Sequence, residues 1–415
     1  MKSTANLKAP AKVLEADLYH LPESFTGLEG YNTAFILLRL DTLPVGQIVV
    51  PVENGAISKE ILQKSILCSV DNNFWHRWVS KYLRVNEFNE APQAASRATV
   101  AVCTRDRTDD LKKCLDSLLQ LQGEGYEILV VDNCPADQST FDLVSGYPGI
   151  RYVKEPRPGL NIARNRALRE ASRPIVAFTD DDTVVDPRWL LHHLKNFQHP
   201  LVLCSTGLTL PLQLETEAQV LSEQHCPFGR GYFRFAFSDA NLNPLAAGKA
   251  GAGANMAFRK DIVQKVGFFN ESLDAGTRTR SGGDTEMFYR ILNSGYQIMY
   301  DAAALSWHRH RTSLAEFKEQ LYGYGTGVYA LLTHLLLTYG ELRVFKVALE
   351  WFFQEQFPAL WSGIRGRKGK KFPVGLQLAE LRGCLNGPAA YLKSKNSDKK
   401  QIKVINEPNG AKKPV

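Results

Sequence analysis

Residues 174–187 read PIVAFTDDDTVVDP, and their pattern indicates the architecture of the surrounding chain. It opens with a short apolar run rich in β-branched residues, which is typical of a buried strand. Three consecutive aspartates, Asp180, Asp181 and Asp182, follow that run directly. Asp186 and Pro187 then form a pair that is typical of a helix start, with the aspartate as cap and the proline in the first turn. The stretch predicts a buried strand, an acidic turn and a helix, in that order.

Strand and helix patterns alternate on both sides of this stretch. Further strands are predicted at residues 99–103, 127–131, 150–153 and 201–205. Helices are predicted between them at residues 111–121 and 162–170. Such alternation is typical of a mostly parallel α/β sheet that is flanked by helices on both faces.

The rest of the chain divides into regions of different character. Residues 1–95 predict an accessory region, with a hairpin at 34–52, helices at 58–68 and 73–83, and a linker at 89–95. The α/β domain is predicted over residues 96–312. Residues 313–394 predict a helical region with a basic interruption at 365–371. The polar, lysine-rich residues 395–415 predict a disordered tail.

Composition limits the classes of function. The chain has 415 residues and a net charge of +7, which suits anionic ligands such as nucleotide diphosphates or an acidic membrane surface. No compact basic motif with interleaved aromatic residues indicates nucleic-acid binding. The seven cysteines are scattered without metal-binding spacing, which predicts reduced thiols in a cytoplasmic protein. We find no secretory signal and no apolar run of the roughly 18 residues that span a bilayer.

Polar side chains follow several of the predicted strands. Thr104 and Arg105 come after the first strand of the domain, Asp132 after the second, and the three aspartates after the fourth. Ligands of parallel α/β sheets bind beyond the carboxyl ends of the strands, so we expect these residues to converge on one edge.

The acidic triple predicts a divalent cation. Adjacent carboxylates repel one another unless a positive charge compensates them. Oxygen ligands of this kind suit Mg²⁺ or Mn²⁺, which would neutralise a diphosphate leaving group. The alternative is a solvated acidic turn that only helps to start the next helix.

Other segments carry candidate ligands with equally simple alternatives. Residues 157–165 place arginines at a helix start and suit phosphate oxygens, unless they form only a basic surface helix. The small residues of 248–255 allow close backbone approach to a ligand, or form a flexible loop. Asp284 is a candidate general base or only a helix cap, and Glu286 lies beside it. His308 is a candidate metal ligand or a structural histidine.

Together these positions resemble the family 2 inverting glycosyltransferases of the GT-A fold. The resemblance covers roughly half of the chain, from about Thr99 to His310. It rests on segments that follow one another in a fixed order: TVAVCTRDR with DDLKKCLDSLL, EILVVDN, GLNIARNRA, FTDDDTVVDPRWL, GAGANMAFRK, GGDTEMFYR and WHRH.

The resemblance implies a role for individual residues. It implies that Asp284 is the catalytic base and that Asp180, Asp182 and His308 hold Mn²⁺ or Mg²⁺. On the donor side it implies a nucleotide-binding set, with Asp132 at the base and Thr104 near the ribose: Thr104, Arg105, Asp132, Arg164, Asp180 and Asp181. On the acceptor and sugar side it implies a second set: Asn255, Gly283, Glu286 and Trp307.

The implied reaction moves a sugar from a nucleotide-diphosphate donor, expected to be a UDP-sugar, to a hydroxyl of a glycan or lipid-linked acceptor, with inversion. Cell-envelope polysaccharide synthesis is a family tendency. We expect a cytoplasmic enzyme with peripheral contact to the inner face of the membrane through the C-terminal helical region. A sugar-phosphate nucleotidyltransferase and an inactive nucleotide-sugar-binding protein remain alternatives.

Two residues depart from the family pattern. Cys103 stands where many members carry proline, and Gly283 stands where many carry glutamate before the base. Both departures concern the acceptor side more than the fold.

Overall fold

The structure is a computed structural model that describes residues 4–69, 72–83, 95–357 and 372–406. Contacts divide the chain into two compact units. The first comprises Met1–Pro156, Arg164–Phe268 and Phe288–Phe317, and the second comprises Arg157–Ala163, Phe269–Met287 and Lys318–Val415. The N-terminal region groups with the α/β sheet in the first unit. The predicted domain limits at residues 95, 312 and 394 stay a prediction.

The strands all lie in the first unit. In chain order they are β1 (Ala11–Asp17), β2 (Ser24–Phe25), β3 (Thr33–Leu40), β4 (Leu43–Pro51), β5 (Ile57–Ser58), β6 (Ala98–Thr104), β7 (Glu127–Asn133), β8 (Ile150–Glu155), β9 (Ile175–Asp180), β10 (Thr183–Val185), β11 (Val202–Pro211), β12 (Arg234–Phe237), β13 (Asn255–Arg259) and β14 (Gln297–His308).

The helices begin in the N-terminal region and continue to the end of the described chain. They are α1 (Lys59–Ser69), α2 (Asn72–Tyr82), α3 (Thr108–Leu118), α4 (Ser139–Ser145), α5 (Leu160–Glu170), α6 (Trp189–Lys195), α7 (Glu217–His225), α8 (Ile262–Lys265), α9 (Gly283–Asn293), α10 (Leu314–Tyr339), α11 (Val344–Trp351) and α12 (Val374–Asn406).

The main sheet of the first unit has the order β10-β14-β11-β13-β9-β6-β7-β8, and β12 pairs with β14. The segment from β9 to β8 is parallel, as the strand and helix alternation predicts. β13 runs antiparallel to both of its neighbours. The expected α/β architecture of the GT-A type, a mostly parallel sheet flanked by helices, is therefore confirmed.

The core of this sheet is built from β-branched and aliphatic side chains. Val100, Val102 and Val130 pack in one buried cluster with Leu111 and Leu115 of α3. The buried positions of α3 recur at helical spacing, so one face of the helix covers the sheet. Burial of each such aliphatic side chain contributes about 1.5–3 kcal/mol.

The predicted hairpin in the N-terminal region is confirmed, since β3 and β4 pair antiparallel and β1 joins β3 in parallel. β3 is buried on both faces. Ile36 lies in a cluster with Ile48 of β4, whereas Phe35 lies in a different cluster with Leu208 and Leu305 of the main sheet. The N-terminal region therefore packs directly on the α/β sheet.

The helix predicted at Asp186-Pro187 begins later than expected. α6 starts at Trp189, two residues after Pro187. The predicted capping contact is present, because Asp186 Oδ1 accepts a hydrogen bond of 2.9 Å from the Arg188 amide. Asp186 Oδ2 also accepts a hydrogen bond of 2.9 Å from Nη2 of Arg39, on strand β3. Its carboxylate thus anchors the N-terminal region to the loop that follows the acidic triple.

Other predicted segments lie near the end of the chain or outside the described residues. The last helix continues to Asn406, whereas a disordered tail was predicted from residue 395. Three further segments lie outside the described residues: most of the predicted linker at 89–95, the whole basic run at 365–371, and residues 407–415. Within the described ranges, the structure contains no helix with the length and hydropathy needed to cross a bilayer.

In the second unit, α10 and α12 approach each other at glycines. A Cβ at Gly383 would lie 2.1 Å from the carbonyl oxygen of Tyr322, and a Cβ at Gly325 would lie 2.1 Å from that of Glu380. Both distances are far below van der Waals contact with backbone atoms, which cannot move independently of the helix. The two helices therefore need glycine at these positions in order to pack as they do.

We expect Gly383→Ala to lower the free energy of unfolding by about 1–3 kcal/mol, because the added methyl overpacks the contact between the helices. Gly375→Ala is the matched control on α12, since a Cβ there meets no heavy atom of the described residues within 4 Å. Alanine at that control position should be neutral or slightly stabilising. Thermal unfolding of the two variants checks this, and equal melting temperatures would contradict the close helix packing.

Candidate active site

The predicted polar residues of the first unit gather at the carboxyl ends of the parallel strands. Thr104 of β6 pairs in register with Asp132 of β7, and Cys103 pairs with Asp180 of β9. The Thr104 hydroxyl donates a hydrogen bond of 2.8 Å to Asp181 Oδ2. The sheet therefore brings together residues that lie far apart in the sequence, at the edge where ligands of such folds bind.

His308, at the end of β14, completes an acidic cluster with Asp180 and Asp182. One ligand atom from each residue lies within 4.8 Å of the other two. His308 Nε2 lies 3.1 Å from Asp182 Oδ1. β14 is placed for this contact because His308 pairs with Thr183 of β10, directly after the acidic triple.

Arg107 balances much of the negative charge. Its Nη1 donates to Asp181 Oδ1 over 2.7 Å, and its Nη2 donates to Asp182 Oδ2 over 2.8 Å and to Asp110 Oδ2 over 2.9 Å. Arg309 also donates to Asp110 Oδ2, over 2.6 Å. Arg107 and Asp110 were not predicted as site residues, although Arg107 lies in the TRDR segment.

Burial and charge act in opposite directions on the aspartates. Burial would raise the pKa of Asp182, but the neighbouring His308 and Arg107 lower it well below its usual range. Burial raises the pKa of Asp181, and the charge of Asp182 adds to that rise although Arg107 opposes it. Burial would lower the pKa of His308, and Asp182 overcomes this and raises it.

The potential ligand atoms of this cluster suit a divalent cation. Asp180 and Asp182 offer the carboxylate oxygens that Mg²⁺ and Mn²⁺ prefer, and His308 adds an imidazole nitrogen. The ring nitrogen of His308 that faces the carboxylates is Nε2. The other ring nitrogen, Nδ1, is buried and has no hydrogen-bond partner among the described residues. These three residues are the ones that would hold the ion.

Asp132, which pairs with Thr104 across β6 and β7, is a buried carboxyl apart from the acidic cluster. It is completely buried, and the hydroxyl of Tyr152 donates to its Oδ2 over 2.8 Å. Within the described part of the chain, its Oδ1 has no hydrogen-bond partner. Burial raises the pKa of this carboxyl, although the bond from Tyr152 opposes the rise. A buried acceptor without a donor is costly, so this oxygen is suited to an N–H group of a ligand.

The two predicted arginines of the donor side differ in exposure. Arg105 is about half exposed and lies 3.6 Å from Asp106 Oδ2. Arg164 is buried. Burial raises the pKa of the Cys103 thiol to about 12 against the opposing charge of Arg164, so Cys103 is a neutral thiol at the end of β6.

Asn255 is placed differently from its predicted acceptor role. Its side chain is completely buried, and its Oδ1 accepts bonds of 2.8 Å from Trp189 Nε1 and from His193 Nε2. Its Nδ2 donates to the carbonyl oxygens of Leu208 and Ala304. The amide is therefore occupied in joining β13 to its neighbours, which gives Asn255 a structural role, and the sugar contact stays a prediction.

Trp307 packs on the N-terminal region. It precedes His308 on β14, and alternate residues of a strand point to opposite faces of the sheet. Its ring packs against the apolar cluster that holds Phe35 and Leu37, with the Arg39 guanidinium 5.8 Å from its centroid. Trp307 thus contacts the N-terminal region on the face opposite to the acidic cluster.

Asp284, Gly283 and Glu286 belong to the second unit, at the start of α9. The Asp284 side chain is partly exposed, and its Oδ1 accepts a hydrogen bond of 2.7 Å from the Thr285 amide. Glu286 is buried, and its Oε1 lies 3.3 Å from His334 Nε2. Glu286 therefore contacts the interior of its unit, whereas Asp284 retains solvent access.

Gly283 has a packing role that its predicted acceptor role did not include. A Cβ there would lie 2.1 Å from Nδ2 of Asn161 and 2.6 Å from Oδ2 of Asp274. That amide nitrogen donates to the carbonyl oxygen of Asn270 over 2.8 Å. Only glycine leaves room for the amide at this point.

Residues 99–267 match the family described as glycosyl transferase family 2. The chain therefore contains a glycosyltransferase family 2 domain, as its motifs predict.

Two curated relatives share this domain. A pre-mycofactocin glycosyltransferase of Mycobacterium tuberculosis (strain H37Rv) is 25% identical over 232 residues, which are 55% of this chain and 46% of that protein. Glycosyltransferase AglE of Haloferax volcanii is 23% identical over 260 residues, which are 60% of this chain and 78% of that protein. The chain thus spans about half the length of the mycobacterial relative.

Two solved structures align with this chain at lower sequence identity. A mannosyltransferase from Pyrobaculum calidifontis, in complex with GDP-Man and Mn²⁺, aligns with a TM-score of 0.48 and 16% identity over 75% of this chain and 93% of that chain. TarS residues 1–349 from S. aureus align with a TM-score of 0.42 and 16% identity, over 72% and 92%.

We expect Asn255→Ala to lower the free energy of unfolding by about 2–4 kcal/mol, because the buried His193 and Trp189 lose a hydrogen-bond acceptor. Asn293→Ala, at the exposed end of α9, is the matched control and should have little effect. Chemical denaturation of both variants measures the difference. An Asn255→Ala protein with unchanged stability would contradict the structural role of this amide.

Proposed function

We propose that this chain is an inverting glycosyltransferase that uses Mn²⁺ or Mg²⁺ and a nucleotide-diphosphate sugar. The observation that carries the proposal is the cluster of Asp180, Asp182 and His308 within a family 2 domain. Two carboxylates and an imidazole at the carboxyl end of a parallel sheet suit a cation that meets a diphosphate.

The bound cation would supply charge compensation for the departing diphosphate. Asp180, Asp182 and His308 would hold it. Arg107 and Arg309 keep the surrounding carboxylates, Asp110 among them, in fixed positions through the hydrogen bonds described above. Preorganised charge of this kind requires little rearrangement when the leaving group develops its charge.

The donor nucleotide would bind along the ends of β6 and β7. The unpartnered Oδ1 of Asp132 suits an N–H donor on the base, with Thr104 near the ribose. Arg105, Arg164 and Asp181 complete this side of the proposed site. A uracil ring offers an N–H donor, which agrees with a UDP-sugar as the expected donor.

Asp284 is the proposed general base. It would accept the proton of an acceptor hydroxyl while that oxygen bonds to the anomeric carbon and the bond from that carbon to the diphosphate oxygen breaks. A single displacement of this kind inverts the anomeric centre. Glu286 and Gly283 would shape the acceptor side through their packing in the second unit.

A glycan or lipid-linked acceptor and a cytoplasmic location with peripheral membrane contact complete the proposal. The odd number and scattered spacing of the seven cysteines favour reduced thiols and therefore a reducing compartment.

We expect Asp182→Asn to abolish the stabilisation that Mn²⁺ and a nucleoside diphosphate give the wild-type protein, because a central ligand loses its charge. Asp142→Asn, on the exposed surface of α4, is the matched control and should respond like the wild type. A thermal-shift panel of UDP, GDP, CDP and ADP, each with and without Mn²⁺, measures the effect and identifies the nucleotide. Equal metal-dependent shifts in both variants would remove the proposed cation site.

We expect Asp284→Asn to reduce sugar transfer at least about a hundredfold, the usual contribution of a general base, while nucleotide binding stays within about twofold. Transfer is measured by release of the nucleoside diphosphate, and binding by calorimetry. Asp239→Asn, at an exposed position, is the control. Full transfer activity in Asp284→Asn would refute the base assignment, and an inactive wild type that still binds the donor would favour the binding-protein alternative.

A further inference from the structure

The main chain at His308 is held by the sheet and by the neighbouring loops. His308 pairs with Thr183 of β10. Its carbonyl oxygen accepts a hydrogen bond of 2.9 Å from the Leu212 amide, and the Arg309 amide donates to the carbonyl oxygen of Asp182 over 3.0 Å. These contacts fix the position of the residue, but they leave the choice of its side-chain rotamer to other contacts.

One of the two ring nitrogens of His308 makes no hydrogen bond to the described residues. Nε2 lies 3.1 Å from Asp182 Oδ1, whereas Nδ1 is buried without a partner. A histidine that binds a metal usually donates from its second nitrogen to a carboxylate or a carbonyl, and that bond fixes the plane of the ring. Within the described part of the chain, packing is left to orient this ring.

Two aromatic rings pack against His308 in the place of such a bond. The ring centroid of Phe228 lies 4.8 Å from that of His308, with an angle of 63° between the planes, which is an edge-to-face arrangement. The His310 ring lies 6.0 Å from the ring of His308 and 5.9 Å from that of Phe228. All three distances are typical of favourable aromatic pairs. We name this group the ring cluster, and it consists of Phe228, His308 and His310.

A buried carboxylate holds the ring cluster in place. Oε2 of Glu223, on α7, lies 3.1 Å from His310 Nε2, and both side chains are buried. α7 is itself fixed at its start by a capping box between Thr216 and Gln219. Loss of a buried hydrogen-bond partner is costly, so this contact restrains the His310 ring.

The loop that carries Phe228 is tied to the sheet on its C-terminal side. The Arg230 amide donates to the hydroxyl of Tyr300 on β14 over 3.3 Å, and that hydroxyl donates to the carbonyl oxygen of Gly231 over 2.8 Å. Nη1 of Arg230 also donates to the carbonyl oxygen of Pro227 over 2.8 Å. Phe228 lies between these bonded residues, so its ring is held in one place.

We propose that Phe228 is a positioning residue that sets the plane of the His308 ring for the cation, with His310 and Glu223 as its support. The inference rests on the proposed cation site and deepens it. Phe228 offers no ligand atom and acts only through His308. The lone pair of Nε2 lies in the plane of the imidazole, so the ring must keep one orientation to direct it at the ion. The ring cluster thus does by packing what a hydrogen bond does for other metal-binding histidines.

The test is titration of the full-length protein with Mn²⁺ alone, followed by electron paramagnetic resonance of the unbound ion. We expect Phe228→Leu to bind Mn²⁺ about tenfold more weakly, the usual effect of losing a residue that orients a metal ligand. Leucine keeps an apolar side chain at this position, so the fold should be retained. Phe228→Tyr keeps the aromatic ring and should bind Mn²⁺ within about twofold of the wild type.

Phe235→Leu, on β12, is the matched control. Its ring forms a similar aromatic pair with Phe237, at a centroid distance of 5.0 Å. Phe235 pairs with Tyr300, earlier on the strand that ends at His308. This variant should bind Mn²⁺ like the wild type. The melting temperature of each metal-free variant separates a loss of stability from a loss of metal affinity.

Equal Mn²⁺ affinity of Phe228→Leu and the wild type would overturn this inference and leave the cation site intact. Equal losses in Phe228→Leu and Phe228→Tyr would overturn it as well, because only tyrosine keeps the ring. Failure of the proposed function gives a different result: a wild type that binds Mn²⁺ no better than Asp182→Asn would remove the cation site, and this inference with it.

Discussion

Crowding of carboxylates at the end of β9 is the constraint on which the site depends. Two like charges about 4 Å apart repel by about 4 kcal/mol at an effective dielectric constant of about 20. Asp181 and Asp182 are both buried. They tolerate burial because Arg107 donates hydrogen bonds to both carboxylates and His308 contacts Asp182. The arrangement leaves Asp180 and Asp182 near a single point with His308, where a divalent cation would relieve the remaining repulsion.

The N-terminal region contributes to holding this arrangement in place. β3 buries one face in its own sheet and the other against β11 and β14 of the main sheet. Its Arg39 also binds Asp186 in the loop after the acidic triple. Because β14 carries His308 at its end, packing on this strand supports the position of a proposed metal ligand. The region is thus a support for the α/β sheet and not an independent attachment.

Local sequence patterns predicted most of the strands of the α/β domain and the convergence of the polar residues at their ends. Both features follow from the hydrophobicity and the spacing of neighbouring residues. The structural role of Asn255 could not be predicted from neighbouring residues. Its partners His193 and Leu208 come from other strands and helices, and only the folded sheet shows that its amide is fully used. The charge-balancing role of Arg107 was hidden for the same reason, since a motif gives residue types but not their ion pairs.

The second unit shows how a departure from a family pattern can follow from packing. Gly283 stands where many family 2 members carry glutamate before the proposed base, Asp284, and a side chain there would collide with the amide of Asn161. That amide cannot simply withdraw, because it donates a hydrogen bond to the loop at Asn270. Glycine at 283 and asparagine at 161 therefore form a matched pair. A glutamate at 283 would require a compensating change at Asn161, so the packing beneath α9 limits which carboxylates can stand beside the proposed base.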